Sequence, residues 1–178
     1  MLKNEVIITK DNQKYSLGSI IFTTIFTTAF IIQIIMMFIF YNELGITFLA
    51  HIGWIVWVFS LYFGLISFRT FKKRGNVEKG KMYVYTNKLV TKGPYAIIRH
   101  PQYLGGILFT ITISLWTQML LSVVLSIIII ILTYQWTYSE DKNLIKKFGE
   151  EYEKYKEKVP RLNPILGIIK HISQKKED

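Results

Sequence analysis

Three long stretches of this chain carry no Asp, Glu, Lys or Arg: 28 residues between Lys14 and Glu43, 25 between Glu43 and Arg69, and 40 between Arg99 and Glu140. A hydrocarbon layer of ~30 Å is crossed by about 20 helical residues, so each of the first two stretches predicts one span. The third corresponds to about 60 Å of helix at about 1.5 Å per residue, which predicts two spans. The polar interruption at Trp116–Thr117–Gln118 is the expected turn between them, with Trp116 at the interface. Backbone groups in lipid must pair within their own segment, so every span is expected to be a helix. The predicted fold is all-α and polytopic, one membrane domain over 1–178. Its spans are expected at about 17–41, 48–70, 102–116 and 119–139, with a loop over 71–101. A helix over 140–160 and a frayed tail, HISQKKED, are expected to follow.

The cations set the expected orientation. They lie at Lys3, Lys10 and Lys14, then from Arg69 to Arg99, then from Lys142 onward, while the turns near Glu43 and Gln118 have none. This positive-inside pattern predicts a multi-pass protein of an inner or endoplasmic reticulum membrane, with both termini and the basic loop cytoplasmic. A net charge of +10 beside 51% apolar residues fits basic loops on a membrane protein, and no nucleic-acid partner is expected. The polar start, MLKNEVIITKDNQKY, is a poor signal peptide, so the first apolar run is expected to be retained. Cys is absent, which excludes disulfides, thiolate metal sites and a cysteine nucleophile. No GxGxxG, P-loop or HExxH occurs, and no metal is expected.

Candidate chemistry collects where apolar stretches meet charge. Lys92 to Gly106 reads KGPYAIIRHPQYLGG. Pro101 suits the first turn of a helix because it lacks an N–H that would go unpaired there. The free N–H groups of that turn, with Arg99 and His100 beside them, form a plausible seat for a carboxylate or phosphate. Gly105 and Gly106 permit close approach of another backbone or a ligand. The bland alternative is an interfacial anchor, with Arg99 snorkelling and Tyr103 in an aromatic belt. Glu140 and Asp141 follow the last apolar run; Glu140 either stays solvated or pairs with a ligand ammonium or Arg99. Leu144, Phe148, Tyr152, Tyr155 and Val159 recur every three to four residues, predicting an apolar-aromatic helix stripe that Pro160 ends. Glu150 and Lys154 form an i,i+4 pair on its wet side. Arg161 is placed for a bidentate carboxylate contact. His51 reads as a buried packing residue, and Lys72-Lys73-Arg74 as an anchor to anionic lipid.

Together, LVTKGPYAIIRHPQYLGG, a hydrophobic hairpin and SEDKNLIKKFGEEYEKYKEKVPRLNP resemble the isoprenylcysteine carboxyl methyltransferase and phospholipid methyltransferase superfamily over about residues 70–165. Gly93-Pro94-Tyr95, Arg99 to Gly105, Glu140-Asp141 and Tyr152 to Arg161 carry the likeness. Asp141 departs from it, since the superfamily usually has a second Glu there. The resemblance implies an integral membrane methyltransferase that uses S-adenosylmethionine without a Rossmann domain. It implies cofactor contacts from Leu89, Val90, Gly93, Tyr95, His100, Tyr103, Glu140 and Tyr152. It implies catalytic roles for Arg99, Glu140 and Arg161, and a lipidic or prenylated substrate among membrane lipids. A prenylcysteine carboxylate is ionised at neutral pH and needs only an Arg to aim it, whereas an amine acceptor needs a general base. The residues favour the carboxylate, with phospholipid N-methylation as the alternative. A sterol-type NADPH reductase and a non-catalytic membrane scaffold are more remote readings. The oligomeric state is not legible.

Overall fold

The computed structural model describes residues 17–75 and 88–177. The polar N-terminus with Lys3, Lys10 and Lys14, and residues 76–87 of the basic loop, lie outside the described residues. The described chain is six helices and a 3-10 turn, with no strand among the described residues: α1 (Leu17–Ile39), α2 (Thr47–Arg74), the turn at Gly93–Ala96, α3 (Pro101–Thr117), α4 (Leu120–Phe148), α5 (Glu150–Lys158) and α6 (Pro164–Glu177). Ile20–Ile39 of α1, all of α2 and all of α4 are long and apolar enough to cross a membrane. At 17 residues α3 is shorter, and the expected fourth crossing rests on it. Phe38, Phe48 and Leu120 are 80%, 71% and 79% exposed, as side chains that face lipid are.

The small residues of α2 decide how α3 packs. Ala50, Gly53, Ser60 and Ser67 are its buried positions. The seven-residue steps from Gly53 to Ser67 keep them on one seam. Along that seam Ser60 Oγ donates to the Gly105 carbonyl at 2.8 Å. A Cβ on Gly105 would stand 2.9 Å from the Gly64 nitrogen. Lipid tails are as apolar as leucine, so helices in a bilayer associate through close contact of this kind. His51 sits off the seam and is exposed, which corrects its expected packing role.

At the uncharged end, Gly53 leaves room for the Trp116 indole. That ring lies 4.6 Å from Trp54 and 6.1 Å from Trp57. Trp116 is therefore buried, not interfacial as its position at a turn predicts. Gln118 closes α3 in the left-handed region at φ 54°. Its side-chain amide then accepts from Ile46 N at 3.1 Å and donates to Ile46 O at 2.9 Å, joining the two turns.

The last third differs from its sequence expectation in two places. No helix breaker occurs between Leu120 and Phe148, so α4 runs through residue 139 and stops only where Gly149 adopts φ 57°. The segment expected as one helix over 140–160 is thus the end of α4 plus α5. Beyond Pro160 the chain forms α6 to Glu177, where a frayed tail is expected. Gly167 on α6 lies so close to the Ile97 carbonyl that no Cβ fits there.

Candidate functional site

Two short segments far apart in sequence lie side by side at the charged end of the bundle. Arg99 N donates to Pro160 O at 2.9 Å, and His100 N to Arg161 O at 3.2 Å. This backbone pairing sets both guanidiniums beside the last turns of α4. Pro101 at the first turn of α3 fixes where His100 leaves the loop.

Asp141 is the hub. Its carboxylate accepts from Arg99 Nη1 at 2.9 Å and meets His100 Nε2 at 2.8 Å. Arg161 adds Nε at 3.0 Å and Nη2 at 2.8 Å, and the Tyr152 hydroxyl also donates to it. The side chains of Asp141, Arg99 and His100 are 5%, 7% and 1% exposed, so these contacts are screened little by water. Burial first, then the Asp141 carboxylate beside it, pushes the Tyr152 phenol well above its ordinary value. It therefore stays a neutral donor. Burial likewise raises the Tyr155 phenol, which donates to the Tyr95 carbonyl at 2.6 Å.

The two guanidiniums outnumber the one carboxylate. Arg99 Nε is buried with no hydrogen-bond partner. Arg161 also lies over the Tyr138 ring, 3.5 Å from its centroid. The cluster therefore keeps positive charge and donor capacity beyond what Asp141 uses, which suits an added anion.

The remaining predicted residues divide. Tyr103 lies edge-on to His100, with centroids 5.6 Å apart, and its hydroxyl accepts from Trp136 Nε1 at 3.1 Å. Leu89 packs on the Tyr152–Tyr155–Val159 stripe together with Leu144 and Phe148. Val90 and Tyr95 are buried, and the Tyr95 hydroxyl donates to Gln102 at 2.9 Å. Gly93 turns the chain at φ 70°, where a side chain is strained. Glu140 is half-buried and makes none of the hub contacts. Lys154 and Glu150 form their exposed pair at 2.8 Å.

Beside the cluster lies an apolar cavity of about 370 Å³, open on one side, between α1, α3 and α4. Phe22, Phe26 and Phe30 form one wall, with Tyr103 and Gly106 on α3 and Ile129, Thr133 and Trp136 on α4. Tyr103 belongs to both features: it lines the cavity and touches His100. A greasy slot with a few convergent polar groups at one end is the usual form of a small-molecule site.

The sequence model of the phospholipid methyltransferase family matches residues 48–151, from the start of α2 into α5. The chain belongs to this family. Residues 48–151 hold Arg99, His100, Tyr103 and Asp141, while α1, Tyr152 and Arg161 lie outside that match. The chain is similar to a protein-S-isoprenylcysteine O-methyltransferase of Schizosaccharomyces pombe, 37% identical over 84 residues, or 44% of this chain and 34% of that protein. It is also similar to those of Mus musculus and Homo sapiens, each 36% identical over 91 residues, or 48% of this chain and 30% of the relative. The match thus spans about a third of the length of these relatives. No solved structure matches.

Proposed function

We propose that this membrane protein transfers a methyl group from S-adenosylmethionine to the carboxylate of a prenylcysteine-like lipid at the cytoplasmic face. The observation that carries this reading is the joint at Tyr103, where an apolar cavity opens beside an over-cationic cluster. An acceptor of that class has an apolar tail and an anionic head, and the two features stand in matching order. Four crossings, α3 included, would put the cluster at the membrane edge, where a lipid and a water-soluble donor meet.

The residues present fit the donor. Arg99 would hold its carboxylate, as its unpartnered Nε supports. Glu140, the half-buried acid outside the hub, would take its ammonium. His100, Tyr103, Tyr152 and the stretch with Leu89, Val90, Gly93 and Tyr95 would complete the seat. When bound, S-adenosylmethionine supplies an electrophilic methyl group on a sulfonium, which aromatic faces favour.

The chain's own work is positioning and drying. The cavity fixes the tail, so the acceptor head has little freedom left, and such restraint lowers the barrier of a displacement. Arg161 aims the acceptor oxygen. A carboxylate needs no proton removed, and the cluster offers no spare base, because His100 Nε2 and Asp141 are bound to one another. Phospholipid amine methylation is the second reading, favoured by the description of the matching family, and would need Glu140 as base.

The test is transfer of labelled methyl by the purified, detergent-solubilised protein to a farnesylcysteine analogue, phosphatidylethanolamine or total lipid. Label on farnesylcysteine that mild base removes is the expected result. Base-stable label in the lipid fraction would move the function to the second reading. No label and no cofactor binding would end both.

A further inference from the structure

We propose that a hydrogen-bonded triangle of Gln33, Thr110 and Ser126 is a length stop that sets how long a tail the cavity accepts. The inference rests on the tail-binding reading above.

The three residues stand one helical turn beyond the deep end of the cavity, each on a different wall. Phe30, Gly106 and Ile129 line the cavity on α1, α3 and α4. Gln33, Thr110 and Ser126 come next along those helices, and they are 0%, 0% and 4% exposed. Gln33 Nε2 donates to Ser126 Oγ at 2.6 Å and to Thr110 O at 3.1 Å. The Thr110 hydroxyl donates to Gln33 Oε1 and lies 3.1 Å from Ser126 Oγ. Ser126 Oγ also donates to Thr110 O at 2.9 Å. Gln33 adds a bond to Ser122 O at 3.2 Å.

This floor resists an incoming tail for two reasons. An apolar chain offers these groups no replacement partners, and a buried polar group left unpaired is costly. The triangle also ties all three walls together, so it yields only if the helices part. Gln33 belongs to α1, outside the span of the family match.

The depth follows from helix geometry. Trp136 and Ile129 bound the cavity on α4, and seven residues advance about 10 Å. A methylene group fills close to the ~30 Å³ that a water takes in the liquid. The cavity of about 370 Å³ therefore holds about a dozen carbons. A geranyl tail leaves room in such a space, a farnesyl tail fills it with its first few carbons still in the open mouth, and a geranylgeranyl tail exceeds it.

The experiment measures binding and methyl transfer for geranyl, farnesyl and geranylgeranyl cysteine analogues on the whole chain in lipid nanodiscs. In the wild type, affinity is expected to rise on the order of tenfold or more from geranyl to farnesyl as apolar surface is buried, then to stop rising. Gln33→Ala removes the stop, so geranylgeranyl should gain at least fivefold over farnesyl. Ile129→Phe fills the deep end instead and should erase the farnesyl advantage over geranyl. This second variant leaves the triangle intact, so it remains informative where Gln33→Ala does not fold. Equal gains for every added isoprene in the wild type, one length profile for all three proteins, or no binding of any tail would overturn the stop. A cut-off in binding with no methyl transfer would keep the stop and remove the methyltransferase reading.

Discussion

At the scale of single residues, Asp141 balances two guanidiniums, and removing its charge strands both. Breaking a buried ion pair by deleting one partner costs about 3–5 kcal/mol. Asp141→Asn is expected to lose stability of that order, whereas Glu140→Gln is expected to melt as the wild type does. Thermal melting in detergent decides between them, and equal losses would remove Asp141 from the hub. Tyr152 adds a pH dependence. Its phenol is raised in the folded state, so its contribution is present below the ordinary value of 10 and fades as pH climbs through the raised one. The melting difference between wild type and Tyr152→Phe should be flat from neutral pH to about 9.5, then shrink. The hub position was legible in outline. Ser122, Ser126, Ile129, Thr133, Thr137 and Asp141 recur every three to four residues, and all are buried. Glu140 falls one residue off that stripe, which is the signal that separates the two acids. That Arg161 reaches the same carboxylate from beyond Pro160 was not legible, because a backbone pairing with residues 99–100 makes that contact.

At the scale of elements, the α2–α3 seam is the joint that carries the site. Gly105 faces the Gly64 backbone, which cannot move aside as a side chain would. Gly105→Leu is expected to cost about 1–3 kcal/mol by overpacking. The same variant should weaken donor binding, because His100 and Tyr103 ride on the first turn of α3. Leu substituted at Gly106, which has nothing within 4 Å of a would-be Cβ, is the control and should leave stability near the wild type. If both variants melt alike, the seam is not the joint. The helix periodicities that named these elements come from local chemistry and are visible in the sequence. The break at Gly149 shows the limit: nothing polar or apolar in FGEE states that Gly149 takes φ 57° and turns α5 back toward Leu89.

For the whole molecule, the prediction is topological. The chain lacks Cys, so single cysteines report cleanly on sidedness. Leu44→Cys, in the exposed turn after α1, should react with a membrane-impermeant thiol reagent from the outer side only. Ser173→Cys on α6 should react from the cytoplasmic side only. Labelling of both from one side would rule out an arrangement in which α3 crosses as a fourth span. Positive charge is the cause. Cations bracket the end of the bundle that holds the hub, and the opposite turns hold none.

The sequence by itself determined the membrane class, the helical character and the places where chemistry could gather. Those follow from hydration: lipid excludes charge and obliges the backbone to pair locally, so charge-free runs must become helices. The tertiary structure decided which acid is the hub, that the cavity ends at a polar floor, and that Trp116 turns inward. Each of these depends on contacts between residues dozens of positions apart, such as Gln33 with Ser126 and Arg99 with Asp141. Such contacts are set by how small-residue seams let whole helices approach, which no local stretch of sequence encodes alone.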